Sequence, residues 1–359
     1  MTDPESAGIL SDMPEMQHES LSEFFDSAAQ TGNQLLNTKP TPIPFLFKDL
    51  GIVKGTSTIL TAPIGSMKSF LSLWLSGQIV ANNPKCQVLY VDKENTLASI
   101  QARARAMFND MEEEALSRLI FWCEMPNAAK EHVPPDFHHG LKFYQRVAKE
   151  WGPDTVIVFD TLNRFFQGDE NSVKDTSFVT NSLVSIRNAP ATVISLHQVG
   201  KPSHDTGKFQ TYRGSSELGG GCDHALTLKN FKQINNHSAS FTAHCFKTRW
   251  LPMSDRTWVH DRGAFYQLQP DCVVNPNQFF DLRSGITRYL IKSPGARVDE
   301  IVQTLNSNKN GSFPQSATRW MLANCCKNYW MQLKSGNAFI YKNIPVSYTH
   351  LTLPTIYSV

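Results

Sequence analysis

Short apolar runs alternate with amphipathic stretches through most of the first 250 residues. GTSTIL (55–60), CQVLYVD (86–92), LIFWCEM (119–125), TVIVFD (155–160) and ATVISLHQ (191–198) are strand-length, rich in β-branched residues, and mostly close on polar or charged positions. Between them lie stretches of helical period. A helix follows residue 68, and LASIQARARAMF (97–108) places Ile100, Ala104 and Met107/Phe108 on one side. LKFYQRVAKEW (141–151) and residues 175–188 also read as helices, and residues 126–139 as a loop. Near-continuous apolar strands alternating with helices predict an α/β fold with a mostly parallel central sheet covered on both faces. DHALTLKNF (223–231), SASFTAHCFKTR (238–249) and AFYQLQP (264–270) read as later strands.

After residue 270 the pattern changes. Residues 280–343 read as three helices and then two short strands around Lys334-Ser335-Gly336-Asn337, the outline of a small winged-helix domain. In that outline the helix 315–329 buries Ala317, Trp320, Met321 and Cys325 and turns Gln315, Ser316, Arg319 and Lys327 toward a nucleic-acid groove. The expected division is therefore a tail over 1–38, a nucleotide-binding domain over 39–270 and the small domain over 280–343.

Charge sharpens this division. The net charge of +2 over 359 residues says little, but residues 1–38 carry seven acidic side chains and no lysine or arginine, the composition of a disordered or loosely docked tail, in which Leu21, Phe24, Phe25 and Leu35 could still dock a short helix. From Arg283 to Lys342 nine basic residues face only Asp299 and Glu300, which suits a polyanionic partner or, more plainly, a solvated basic face. The seven cysteines form no C-x-x-C pair and no metal-ligand spacing, so they read as free thiols of a reducing, cytoplasmic compartment. No apolar run of 18 residues is present, and no membrane association is expected. The last fourteen residues, VSYTHLTLPTIYSV, break character and resemble a translated sequencing-adapter read-through.

The candidate chemistry starts at GTSTILTAPIGSMKSF. A strand, a tight turn and a helix put Lys68-Ser69 where a phosphate-binding loop places its lysine and hydroxyl. Ala62, Pro63, Ile64, Gly65, Ser66 and Met67 would form the cradle, and Lys68, Ser69 and Phe70 the start of the helix. The pattern G-x-x-x-x-G-K-[ST] finds Ala62 and Met67 at its two glycines, so only Gly65 remains inside the loop. Asp160 ends a buried run, where a carboxylate can share Mg²⁺ with Ser69; a strand-end or N-cap aspartate is the bland alternative. Glu94 ends the preceding strand, where an acid can polarise an attacking water, and Asp92 competes for that role. His197 and Gln198 end the next strand, placed to sense a terminal phosphate or to relay its state to a DNA-binding loop. Arg213, Lys247 and Arg249 are candidates to supply charge to a neighbouring copy's nucleotide, or are surface cations.

In their order, AP-IGSMKS, YVDKEN, VIVFDTL, SLHQVGK, RGSSEL, D-ALTL and FKTR resemble the RecA-like ATPases, especially hexameric replicative helicases of the plasmid RepA type. The resemblance spans about residues 45–265. It implies a RecA-like core, ATP and Mg²⁺ as cofactors, Glu94 as the catalytic acid and Asp160 as the Walker B carboxylate. His197, ahead of Gly200 and Lys201, becomes the sensor, and Arg213 in R-G-S-S the intersubunit arginine. It further implies a homo-oligomeric ring on single-stranded DNA, encoded by a phage or plasmid. Strand-exchange proteins and ATP-binding regulators share this core, so three readings remain: a DNA-dependent motor, a regulator that binds ATP with little turnover, and a vestigial site.

Overall fold

The computed structural model describes residues 31–123, 133–165, 168–169, 172–199, 217–250, 252–269, 275–307, 313–326, 328–335 and 338–344. Two compact units are distinguished, residues 1–44 and 45–359. In the first, the described residues form α1 (Gly32–Asn37), a short helix closed by a capping box in which Thr31 and Gln34 exchange hydrogen bonds. Its Leu35 and Leu36 are exposed. Part of the expected tail is thus ordered helix; residues 1–30, and the segment 346–359, lie outside the described residues.

The second unit opens with the small pair β1 (Phe45–Phe47) and β2 (Ile52–Val53). The main elements follow in the rhythm read from the sequence: β3 (Ser57–Ala62), α2 (Lys68–Asn82), β4 (Gln87–Asp92), α3 (Leu97–Phe108), α4 (Glu113–Ser117), β5 (Leu119–Cys123), α5 (Phe137–Trp151), β6 (Thr155–Asp160), α6 (Val173–Asn188) and β7 (Thr192–Gln198). Then come α7 (Glu217–Gly221) and four strands, β8 (His224–Asn235), β9 (Ser238–Thr248), β10 (Arg256–Asp261) and β11 (Ala264–Gln267). These strands make one nine-stranded sheet in the order β11-β10-β9-β8-β3-β7-β6-β4-β5. From β8 to β5 the pairings are all parallel, and β8 through β11 form an antiparallel meander.

Alternation along the buried strands builds two cores. Val88 and Tyr90 of β4, with Val156 and Val158 of β6, join Leu71, Leu75 and Ile79 of α2 on one face. Leu89, Val91, Ile157 and Phe159 face the other way, against Tyr144 and Val147 of α5 and Val179 and Ile186 of α6. Helices α2 and α3 approach closely at Gly77, where an added Cβ would lie 2.4 Å from the Phe108 ring.

Three local expectations change. Helix α5 begins at Phe137, inside the stretch read as a loop, because the Asp136 carboxylate caps it by accepting the His139 N–H. Strand β10 went unread; it pairs with β11 across Arg262-Gly263, both at positive φ as a two-residue hairpin turn of type I′ requires. The helix expected over 315–329 stops at Asn324, and Tyr329-Trp330 lead into a strand instead.

The C-terminal part consists of α8 (Pro276–Lys292), β12 (Ala296–Arg297), α9 (Val298–Ser307), α10 (Gln315–Asn324), β13 (Trp330–Ser335) and β14 (Ala338–Asn343). Its strands form a three-stranded antiparallel sheet in the order β12-β14-β13. Ala317, Met321 and Cys325 are buried as expected, whereas Trp320 is only half-buried, and Lys327 lies outside the described residues. Phe279, Leu282, Ile286, Met321 and Trp330 share a third core with Val259, Tyr266 and Leu268 of the β10–β11 hairpin. At its centre the buried Asp261 carboxylate accepts hydrogen bonds from the Ser238 hydroxyl, at 2.6 Å, from the Arg283 guanidinium and from the Tyr329 hydroxyl.

Candidate nucleotide-binding site

Strand β3 delivers the chain to the site at Ala62, a fully buried position in register with Gln198 of β7. The next residues turn sharply. The Ser66 N–H bonds the Pro63 carbonyl at 3.3 Å, Gly65 sits at φ 75° and Met67 at φ 62°, and α2 begins at Lys68. A helix start leaves its first amide N–H groups without intrahelical partners, so the loop and the first turn together form an anion cradle. Met67 occupies the place of the motif's second glycine and adopts the left-handed backbone that glycine favours. Its side chain is 9% exposed and belongs to the first core. Packing therefore takes up most of the bulk that methionine adds in place of glycine. Ile64, at the loop tip, is 68% exposed.

Lys68 is 7% exposed and lines the cleft with Ser69 and Phe70. The Ser69 hydroxyl donates to Asp160 Oδ1 at 3.1 Å, and the Tyr90 hydroxyl donates to Oδ2 at 2.8 Å. Asp160 is fully buried; burial first, and then the nearby Asp92 carboxylate, push its pKa up to about 7. A serine hydroxyl touching a buried carboxylate gives two hard oxygen donors beside an anion cradle. That set fits Mg²⁺, which binds few protein oxygens and completes its shell with phosphate and water. A divalent cation there would also offset the cost of ionising Asp160.

Asp92, in register with Asp160 on the neighbouring strand, is not a second cleft acid. Its Oδ1 accepts the N–H groups of Glu94 and Asn95, both at 2.8 Å, and its Oδ2 accepts the Asn95 amide at 2.9 Å. This turn leaves Glu94 exposed and lining the cleft beside Asn95. Of the two acids weighed from sequence, Glu94 thus has access to a ligand and Asp92 is buried beneath it.

Among the remaining candidates Gln198 lines the cleft. His197 does not. Its ring is fully buried, with Nδ1 3.0 Å from Asn163 Oδ1 in the turn after Asp160. Arg249 follows β9 at the level of His224, the start of β8, which pairs beside Thr58 at the start of β3. It therefore lies at the opposite end of the sheet from Lys68, with Nε 3.1 Å from Asp223 Oδ1. Asp223 is also held by Arg187, at 2.8 Å, and by the Ser57 N–H. Burial works to raise the Asp223 pKa, but these hydrogen bonds bring it below the usual carboxylate range. Lys247 at the same end donates to the carbonyls of Gly219 and Gly220. Arg213, Gly200 and Lys201 lie outside the described residues.

The cleft has a wall that no motif signalled. Arg103 of α3 contributes to it, its guanidinium carbon 4.6 Å from the centroid of Phe70, as do Phe231, Gln233 and Ala239 of the β8–β9 hairpin. Tyr90, the second donor to Asp160, was also unread, since in sequence it is one more apolar strand residue.

A family model described as an AAA domain matches residues 20–204, more than half of the chain. The chain belongs to this AAA-domain family. The match takes in β3, α2 and every sheet strand through β7, with Lys68, Ser69, Glu94 and Asp160. It ends before the β8–β9 hairpin, Arg249 and the C-terminal helices. A crystal structure of the flagellar accessory protein FlaH from Methanocaldococcus jannaschii is similar to the AAA-domain chain at 15% identity and a TM-score of 0.44, over 62% of this chain and 95% of that one. No curated protein matches by sequence. Among the described residues no helix is long and apolar enough to cross a membrane.

Proposed function

We propose that the protein is a DNA-dependent ATPase, a replicative helicase of the RepA-like type, that couples ATP hydrolysis to movement along single-stranded DNA. The observation that carries the ATPase part is the convergence of Lys68, the Ser69–Asp160 pair and Glu94 at the C-terminal ends of the parallel strands β3, β6 and β4, where α/β folds bind ligands. In this reading the cradle from Ala62 to Phe70 and Gln198 hold the phosphates, and Lys68 neutralises the outer ones. Ser69 and Asp160 hold Mg²⁺, and Glu94 orients the attacking water and takes its proton. Bound Mg²⁺ would supply charge stabilisation for the transferring phosphoryl group.

Arg249 is too far from its own Lys68 to act there, so its part would be played on a second copy, with Arg213, in a hexameric ring. The three helices and antiparallel sheet after residue 275 support the winged-helix reading. Arg288, Lys292 and Arg297 are exposed there, which suits a nucleic-acid partner.

One observation favours the regulator as the second reading. Arg249 is already engaged by Asp223 in its own chain, and a trans-acting arginine must first leave that pair. The deciding experiment is steady-state ATPase activity of the full chain with and without single-stranded DNA, beside Lys68→Ala and Glu94→Gln. Turnover that DNA stimulates and both variants lose supports the motor. Tight ATP binding without turnover, with DNA affinity untouched by Glu94→Gln, replaces it with the regulator.

A further inference from the structure

The wall of the cleft away from Asp160 combines one flat cation, two aromatic rings and one amide. Gln233 of β8 pairs directly across the hairpin with Ala239 of β9, and Phe231, two residues before it, lines the same cleft. Arg103 lies over the Phe70 ring, and its Nε is buried with no hydrogen-bond partner among the described residues. A delocalised guanidinium stacked on a ring is a platform for a planar heterocycle, and the small Ala239 side chain leaves that platform uncrowded. The Gln233 amide nitrogen donates to the Asn235 carbonyl at 3.4 Å, so the oxygen Oε1 is the free end of the amide.

We infer that this wall is the nucleobase slot and that Gln233 selects adenine, by accepting a hydrogen bond from the exocyclic amino group of a base lodged between Phe231 and the Arg103–Phe70 stack. Guanine and hypoxanthine carry a carbonyl oxygen at that position. Two acceptors then face each other, and the bond is replaced by repulsion. The β8–β9 hairpin lies beyond the family match, which ends at residue 204. The inference rests on the phosphate site proposed above, but it has its own readout.

Dissociation constants of Mg·ATP, Mg·GTP and Mg·ITP are measured by calorimetry on the full chain, with each variant's thermal midpoint as the folding control. Wild type is expected to hold ATP about tenfold more tightly than GTP or ITP, the scale of one hydrogen bond gained or lost in a half-open site. Gln233→Glu, which keeps an acceptor, retains the preference. Gln233→Met, which keeps length and loses the acceptor, brings the three nucleotides within about twofold. Arg103→Leu weakens all three alike, as loss of a stacking platform does. Equal affinity of wild type for ATP and ITP, or an undiminished preference in Gln233→Met, overturns the inference. Lys68→Ala separates the two claims: unchanged ATP affinity there sinks the phosphate site and leaves the base preference standing. Absence of binding by any nucleotide in wild type overturns both.

Discussion

Asp92 holds Glu94 in place without touching the cleft itself: its buried carboxylate accepts the Glu94 N–H at 2.8 Å and fixes the turn from which the Glu94 side chain projects. Positioning of this kind acts on the rate more than on binding, because misplacing a reacting group by about 1 Å costs on the order of 100-fold. Asp92→Ala should lower kcat about 10- to 100-fold with KM within about threefold, and Asp92→Asn, which keeps an acceptor, should recover part of the loss. Steady-state kinetics on the three proteins decides. A rise in KM with kcat intact would show that the turn serves binding instead.

Proton linkage follows from Asp160. Its pKa is raised to about 7, so without a cation the folded protein holds a proton that the unfolded chain releases near pH 4. The Asp160 contribution to the stability of the nucleotide-free protein should therefore fall as pH rises from about 4 through 7, and Asp160→Asn should remove that contribution from the slope. Mg²⁺ competes with the same proton, so Mg²⁺-dependent ATP affinity should weaken toward about tenfold per pH unit below 7. Thermal melts and calorimetry across pH 5 to 8 test both. An Asp160→Asn protein with the wild-type slope would rule out this source.

Met67 sets a local strain against its own packing. A left-handed backbone costs a non-glycine residue about 1–2 kcal/mol, while a buried side chain of this size contributes about 1.5–3 kcal/mol. Met67→Gly relieves the first and loses the second, and should lie within about 1 kcal/mol of wild type. Met67→Ala keeps the strain and loses the packing, and should cost about 2–3 kcal/mol. Chemical denaturation gives the order; an alanine variant more stable than the glycine variant would refute this account.

His260 is 2% exposed, and neither ring nitrogen has a hydrogen-bond partner among the described residues. Its ring lies 4.7 Å from Phe265 and 6.1 Å from Phe70, centroid to centroid, and burial lowers its pKa to about 4. The folded state refuses a proton that the unfolded chain accepts near pH 6.5. The His260 contribution to stability should thus be lost as pH falls from about 6.5 through 4, opposing the Asp160 slope. His260→Phe removes two buried unsatisfied atoms at similar volume and should raise stability by about 1 kcal/mol, more at pH 5 than at pH 8. A variant no more stable than wild type at pH 5 would count against it.

The Asp261 cluster gives a sharper test, since removing one member of a buried ionic set strands the others. Asp261→Ala should cost about 3–5 kcal/mol. Tyr329→Phe, which leaves Ser238 and Arg283 on the carboxylate, should cost about 1–2 kcal/mol. Urea melts measure both, and similar losses for the two would mean that the carboxylate is not the hub.

The parallel sheet was legible because buried strands such as Thr155–Asp160 carry an unbroken apolar run, here Val156 to Phe159, and the loop at Lys68 because its chemistry fixes its spacing. What stayed hidden depended on pairing between distant segments. Trp258 and Val259 alternate over only six residues, too few to mark β10 without its partners, and nothing local distinguishes Tyr90 from its apolar neighbours. Gln233 enters the cleft because β8 runs on past the sheet's buried level, a matter of hairpin length and register that no motif encodes. That His197 ends its strand was legible, but its contact with Asn163 in the turn after Asp160 depends on how distant segments pack.

Read along the chain, residues 270–275 look like a natural place to cut. The third core crosses that point, with Val259 and Tyr266 on one side and Phe279 and Trp330 on the other. A gene ended there would strip the cover from those side chains and leave Asp261 buried against nothing that donates from beyond the cut. The two halves should therefore melt in one cooperative transition, and an exchange of the C-terminal helices between relatives should keep the fold only if β10 and β11 go with them.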